Sequence, residues 1–459
     1  MLKITNPATG KVIAEVLEDN AATIKRKYAM ARAAQPDWAA TPLARRLKTI
    51  KTFRAQVETR KEELAAILTS ETGKPLQQAR NELNGLLPRL DFFVDNAAKT
   101  LRPKKVHDQD GMTEIIGHEP LGVIANISAW NYPYFVGGNV FVPALITGNA
   151  VLYKPSEFAT RTGLEIAEML YEAGVPQTVF ATVSGTGAAG AALLRQPVDG
   201  VFFTGSVATG TAIAKAVAGR LVKLQLELGG KDPVYVCPDV DVAKAAAGLA
   251  DGAMYNAGQS CCSVERIYVH EDIFQPFVDA FVAEVKGFRI GDPAVEGTYI
   301  GPLTRAAQIK VLEAQIADAK KKGAKVLVGG KRIRVAGNPK GNYFAPTVLV
   351  NVDHSMTVMR EESFGPIIGI QSVQSDEEAV RLMNDTRYGL TAGVYTTDRQ
   401  RAGHLLAQVH AGSVYWNCCD RVSPRLPWSG VGDSGLGITL STYGIQTFTR
   451  PKAWHLRSA

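Results

Sequence analysis

The middle of the chain repeats one local form, and that form restricts the fold more than any other feature. AVLYKPSE (150–157), VDGVFFTGS (198–206) and LVKLQLELGG (221–230) are each a β-rich run that ends in a cluster of Gly, Pro or Ser. VIANI (123–127) precedes them as a short, wholly apolar run, followed by the turn-rich WNYP. A helical stretch, 160–173, separates the first two runs. Strands alternating with helices predict a parallel sheet covered on both faces. In such sheets ligands bind at the carboxyl ends of the strands, where these clusters fall.

A second alternation begins near Ala243, with a helix through Met254, RIYVH as a strand, and a helix marked by Phe274, Phe277, Phe281 and Val285. KVLVGG, APTVLVNV, PIIGIQSV and AGVYTT then read as further strands. From about Asn20 to Asp95 the pattern is helical, with Leu64, Ile67 and Leu68 at three- and four-residue spacing. The N-terminus, MLKITNPATGKVIAEV, alternates like a strand. At 459 residues the chain exceeds one ordinary core. Two α/β domains meeting between Glu227 and Cys261 are expected.

Composition narrows the function. Hydrophobic residues make up 46% and charged residues 21%, a globular balance. The net charge of +7 comes without a basic run interleaved with aromatics, so a nucleic-acid partner is not expected; Lys320–Lys322 reads as a solvated helix end. No apolar run reaches bilayer length and the first residues lack a signal-peptide core, so neither a membrane nor export is expected. Five cysteines, two pairs of them adjacent, make a poor disulfide framework and suit a reducing, cytoplasmic setting.

Several short stretches carry possible chemistry. SGTGAAG (184–190) fits G-x-G-x-x-G through Gly185, Gly187 and Gly190, but a glycine-rich turn packing a helix on a sheet explains it equally well. Gly205 and Ser206 follow a strand and open a helix, the arrangement that attracts a phosphate. Glu227 ends a strand before two glycines; taken alone, such a residue is usually a solvated surface carboxylate. Cys261 follows the polar loop Asn256–Ser260, an odd place for core filling, whereas any single buried cysteine is commonly packing. Adjacent cysteines cannot readily chelate one zinc, and no ligand-spaced His or Cys follows, so no metal is expected.

Together these pieces resemble the NAD(P)-dependent aldehyde dehydrogenase superfamily. ETGKP (71–75), SAWNYP, YKPSE, FTGS, LELGGKDP, NAGQSCC, REESFGP, NDTRYGL and AGSVYWN occur in that family's order, nearly end to end. Glu227 and Cys261 are 34 residues apart, as in many members. The resemblance implies Cys261 as the nucleophile (Cys262 being only its neighbour), Asn131 as the oxyanion amide and Glu227 as the general base of thioester hydrolysis. It implies cofactor contacts at Trp130, Lys154, Ser156, Glu157, Gly185, Gly205, Ser206, Glu362 and Phe364, with Glu157 on the adenine ribose favouring NAD over NADP. Phe135, Arg421 and Trp428 are implied to border the substrate tunnel. If Arg421 and Arg425 face it, a carboxylate-bearing aldehyde would fit.

The implied fold is a Rossmann-like cofactor domain (1–101 and 121–226), oligomerisation strands (102–120), an α/β catalytic domain (227–417), a return segment beside the tunnel (418–440) and an oligomerisation tail (441–459). A homodimer or homotetramer acting on a small aldehyde follows from it. The sequence departs from the family at PWSGVGDSGLGIT (427–439), where many members have P-F-G-G-x-K-x-S-G-x-G-R-E. Trp428 replaces Phe, Gly432 replaces Lys, and the Arg-Glu pair is absent; the expectation is that substrate choice changes and catalysis does not. Two rivals remain: a CoA-acylating enzyme, several of which lack the glutamate, and a non-catalytic relative.

Overall fold

The computed structural model describes residues 1–458. Both alternations of the sequence become parallel sheets. The first sheet has six strands in the order Gly435–Leu436, Lys223–Glu227, Gly200–Thr204, Val123–Ile127, Ala150–Lys154 and Phe180–Thr182. All neighbours are parallel except the short edge strand Gly435–Leu436, which runs antiparallel to the strand ending at Glu227. Its central strands, Val123–Ile127 and Ala150–Lys154, are buried along their whole length, as apolar strands covered on both faces must be.

The second sheet has seven strands, Lys325–Val328, Thr347–Val350, Ile367–Val373, Val264–His270, Asp232–Val236, Thr391–Tyr395 and Ser413–Trp416, in that spatial order. Only the first pair is antiparallel. Each sheet has its own apolar core. The N-terminal segment forms a hairpin, Leu2–Thr5 with Val12–Val16, and then four helices between Ala21 and Thr100 that pack into the core of the first sheet. Leu64 and Leu68 are buried there, as their spacing predicts.

The ETGKP stretch acts as a structural clamp. Glu71 is buried and accepts hydrogen bonds from the Arg161 and Thr162 N–H groups (2.6 and 2.9 Å) at the start of helix Thr160–Glu172. Burial raises its pKa to about 7 against the pull of those same donors. Lys74 pairs with Glu82, both fully buried, and the Lys74 ammonium lies 3.7 Å from the Tyr132 ring centroid. Glu82 in turn accepts from the Tyr134 N–H at 2.9 Å, capping helix Pro133–Ile146. A carboxylate at a helix N-terminus is favoured by the free N–H groups and the dipole. The residues just before that helix, Trp130 and Asn131, are thereby held in place.

A third, antiparallel sheet stands apart from both cores. Its strands are Lys104–Gln109, Met112–Pro120 and Thr449–Arg457, within the 102–120 and 441–459 segments. Val106, Ile116, Trp454 and Leu456 are exposed on it. No helix among the described residues is long and apolar enough to cross a membrane.

Candidate active site

The carboxyl ends of the first sheet's strands meet the loop that enters the second sheet, and the site forms between them. A cavity of about 250 Å³ is lined by Trp130 and Asn131 after one strand, Thr204, Gly205 and Ser206 after another, and Leu228 and Gly229 after the strand carrying Glu227. Cys261, Arg305, Gln308, Glu362 and Phe364 complete it. Seven of the residues singled out in the sequence therefore share one space: Cys261, Asn131, Trp130, Gly205, Ser206, Glu362 and Phe364.

The cysteine loop owes its shape to the residues before it. Asn256, Ala257 and Gly258 all have positive φ (53°, 53° and 68°), a left-handed run in which glycine is required at the last position. A side chain at Gly258 would meet the Gly365 carbonyl oxygen at 2.3 Å, so the cysteine loop and the loop bearing Phe364 touch through backbone. Gln259 ties the turn internally and accepts the Thr304 N–H at 2.9 Å. The Asn131 amide is buried and donates to the Gln259 carbonyl at 3.2 Å. One of its two N–H groups is thus used to fix its orientation, and the other is left for an acceptor in the cavity.

The two cysteines differ sharply. Cys261 is partly exposed on the cavity, whereas Cys262 is buried in the core of the first sheet. The Cys262 thiol donates to Asp420 Oδ1 at 3.0 Å. Contact with Cys261, then burial and Asp420, push the Cys262 thiol well above its ordinary pKa. Cys262 is thus a packed thiol, and Cys261 the one open to the cavity.

Glu227 is buried, contrary to what a lone strand-end glutamate suggests; the edge strand Gly435–Leu436 covers it. Its carboxylate accepts a hydrogen bond from Thr439. Burial raises its pKa to about 7, opposed by Thr439 and by the nearby Arg89, Trp428 and Gln225. Thr439 stands where many family members have the Glu of Arg-Glu. The departure therefore reaches the candidate base itself, through that hydrogen bond. Trp428 is buried and bridges by backbone to Thr439 (2.8 and 2.9 Å), making it a support for this pair.

Also on the cavity, Ser206 caps helix Val207–Val217, accepting from the Thr209 N–H at 3.3 Å. A Cβ at Gly205 would lie 2.4 Å from the Phe203 ring, so backbone alone faces the space there. A free helix N-terminus behind a glycine suits a pyrophosphate. Phe364 sits edge-on to Trp130, ring centroids 5.5 Å apart. Glu362 accepts from the Gly230 N–H at 3.2 Å, and its pKa is raised to about 8, by burial first and then by Glu265.

Glu227 is not itself among the lining residues, though its neighbours Leu228 and Gly229 are; Lys154, Ser156, Glu157 and Gly185 also lie outside this cavity, as do Phe135, Arg421 and Trp428. Lys154 is buried and donates to the Pro155 carbonyl, with Glu157 3.9 Å away. Gly185 has φ of 141° and begins the turn into helix Gly187–Leu194. Phe135 covers the buried Arg89 guanidinium at 3.9 Å. Arg421 and Arg425 are exposed, whereas their neighbour Asp420 turns inward to Cys262, with its pKa raised to about 6 by burial. Asp420, Thr439, Arg89 and the Lys231–Glu265 pair had no local signature in the sequence. Their partners are distant along the chain.

The chain resembles known proteins over its whole length. The model of the aldehyde dehydrogenase family matches residues 1–454. Peroxisomal aminoaldehyde dehydrogenase 1 of Pisum sativum is 35% identical over 97% of this chain and 90% of its own length. The structure of betaine aldehyde dehydrogenase from Staphylococcus aureus in complex with NAD+ superposes with a TM-score of 0.96 at 30% identity, covering 99% of this chain and 91% of that one. An NADP-dependent enzyme of E. coli superposes equally well, TM-score 0.96 at 31% identity, covering 100% of this chain and 95% of that one. With the family model spanning nearly every residue and the fold matching throughout, this chain belongs to the aldehyde dehydrogenase family.

Proposed function

We propose that the protein oxidises an aldehyde to a carboxylic acid with NAD, using Cys261 as nucleophile, Asn131 as oxyanion donor and Glu227 as the base that activates water. The observation that carries this reading is the shared cavity, whose lining includes Cys261, Asn131 and Ser206, the residue that opens helix Val207–Val217. Trp130, Gly205, Ser206, Glu362 and Phe364 would hold the cofactor there, and Lys154, Ser156, Glu157 and Gly185 the nucleoside beyond. NAD, when bound, accepts the hydride that the aldehyde carbon gives up.

The chain's own groups supply the rest. The Cys261 thiolate attacks the carbonyl carbon, forming a C–S bond and an oxyanion. The free N–H of Asn131 and the Cys261 backbone N–H donate to that oxygen; losing one such donor typically costs about 10²–10³ in rate. Departure of the hydride leaves a thioester on Cys261. Glu227 takes a proton from water, whose oxygen attacks the thioester; the acid leaves and the thiol reforms. Ionised Glu227 is the active form, and burial holds that ionisation near pH 7. Hydrolysis is therefore slow below that pH and rises through it. Retention of Glu227 sets this reading above acyl transfer to CoA, and above a non-catalytic relative.

For the substrate, a positively charged aldehyde fits better than a carboxylate-bearing one. Arg421 and Arg425 are exposed to solvent, while Asp420 places a carboxylate against Cys262, the neighbour of Cys261. Tyr132, Tyr255 and Tyr415 lie within range of that charge, and the Pisum sativum relative bears the name of an aminoaldehyde dehydrogenase. A panel of 4-aminobutanal, butanal and succinic semialdehyde, followed by NADH fluorescence with and without CoA, tests function and substrate together. NADH should form without CoA, with kcat/KM for the amine about tenfold or more above that for the acid. Strict dependence on CoA, or preference for succinic semialdehyde, would overturn the respective part.

NAD should be preferred over NADP by about tenfold to a hundredfold, because a carboxylate at the ribose repels the extra phosphate. Lys154, 3.9 Å from Glu157, softens that repulsion. The ratio of kcat/KM values in the parent and in Glu157→Ser measures it; a ratio indifferent to the change would remove Glu157 from the ribose. The 1–101 and 121–226 segments then form the cofactor domain, 227–417 the catalytic domain, and 418–440 returns beside the substrate. The outer three-stranded sheet (Lys104–Gln109, Met112–Pro120 and Thr449–Arg457), with its unpaired edges and exposed Trp454 and Leu456, joins subunits into a dimer or tetramer. Five free cysteines suit the cytoplasm.

A further inference from the structure

Behind Glu362 and Phe364 lies a buried polar cluster that the chemistry above does not use. Lys231 and Glu265 are both buried and paired at 2.5 Å. Lys231 also donates to Ser363 Oγ at 3.1 Å. The Glu265 carboxylate accepts the backbone N–H groups of Ser363 (2.9 Å) and Phe364 (3.0 Å). From the other side Gln308 donates to the Ser363 carbonyl at 2.6 Å, and Gln315 approaches the Glu361 and Glu362 carbonyls at 3.4 and 3.3 Å. Phe364 has φ of 47°, a conformation that a bulky residue keeps only when its surroundings impose it.

Each member of the cluster is joined to the reacting groups by a short piece of chain. Lys231 follows Glu227 by four residues, through Gly229 and Gly230, against which the Glu362 carboxylate packs. Glu265 follows Cys261 by four residues, in the strand Val264–His270 that the cysteine loop enters. The pair thus fastens the Glu362–Phe364 loop to both the nucleophile strand and the base strand. Burying two charges is costly unless they are paired and hydrogen-bonded, and here the carboxylate's remaining acceptor capacity is taken by that loop's backbone.

We propose that Glu265, backed by Lys231, is a positioning residue for cofactor binding: its carboxylate grips the Ser363 and Phe364 N–H groups and so sets where Glu362 and Phe364 meet the nicotinamide end of the cofactor. This rests on the assignment of Cys261, Glu227 and the cofactor cavity given above, and adds to it a residue that touches neither substrate nor cofactor. The hydrogen bonds of the grip end on the Ser363 and Phe364 backbone, on the cofactor side, so it separates two reactions that share the thiol and the base. Cleavage of an activated aryl ester, such as p-nitrophenyl acetate, needs Cys261 to take the acyl group and Glu227 to activate water, and no hydride acceptor. Aldehyde oxidation needs Glu362 and Phe364 in place as well.

The test compares the purified parent with Glu265→Gln, which keeps the size but weakens the acceptor, and with the double variant Lys231→Met/Glu265→Gln, which leaves no buried charge unpaired. The expected result is a rise of about 10- to 100-fold in the NAD dissociation constant and in KM for NAD, with ester hydrolysis within about threefold of the parent, and substantial recovery in Glu265→Asp. Equal loss of both reactions, or an unchanged NAD dissociation constant, overturns the proposal. Hydrogen exchange on the unaltered protein provides a measure independent of variant folding. The Ser363 and Phe364 amides should be protected in the absence of NAD, and rapid exchange there would also overturn it. Failure of the underlying assignment looks different: ester hydrolysis by the parent would then be missing or would survive Cys261→Ala.

Discussion

Replacing Cys261 by alanine is expected to lower NAD-dependent aldehyde oxidation by about four orders of magnitude or more, as removal of a covalent nucleophile does elsewhere. Cys262→Ala should keep most of the activity. The difference follows from placement: Cys261 opens on the cavity beside the Asn131 amide, while Cys262 is buried with its thiol donated to Asp420. A thiol that is buried and held in its protonated form by a carboxylate is a poor nucleophile. Initial rates of NADH formation for the two variants decide the matter, together with iodoacetamide labelling and peptide mapping of the parent. Loss of activity that tracks alkylation of Cys262 would reverse the assignment.

Glu227→Gln should behave in a different manner, separating two chemical steps. The thiol can still attack and the hydride can still leave, so rapid mixing should show a burst of NADH close to one per active site. Steady-state turnover should then fall by about 10²–10⁴, because water attacks the thioester without a base. The pH profile gives a second signature. In the parent the carboxyl, raised to about 7 by burial, is protonated and idle in mild acid, so turnover rises as pH increases through about 7. In the glutamine variant that rise should vanish. Absence of a burst in a variant that still binds NAD would place Glu227 in the earlier step.

The sheets were legible because their signals are local, and the candidate nucleophile because a short motif carries the family resemblance. Runs such as VIANI and AVLYK are β-rich from end to end, and a strand buried on both faces needs nothing more. Glu227 was harder: the alternation of Leu224 and Leu226 with Lys223 and Gln225 suggests a half-exposed strand, and the cover over its last residue arrives from Gly435–Leu436, more than 200 residues later. Asp420 next to two arginines gave no hint that the acid turns inward while the bases stay in solvent. Glu265 looked like one polar residue in a strand; its partners lie on two other segments. Each missed feature is a polar contact between distant segments, and a single sequence records no pairing of that kind.

The pairing of Glu227 with Thr439 also has a temporal side. The two residues are separated by 212 positions, and Ser434 reaches back 205 positions to the Gly229 carbonyl. Contacts that close loops of this size form late, since their entropic cost is met before any local reward. The helices and the central strands can assemble from nearby segments, but the Glu227 carboxylate acquires its cover only when the 435–439 stretch docks. During refolding, helical content should therefore return before turnover does, and a population with its backbone in order but a solvent-exposed Glu227 should separate the two.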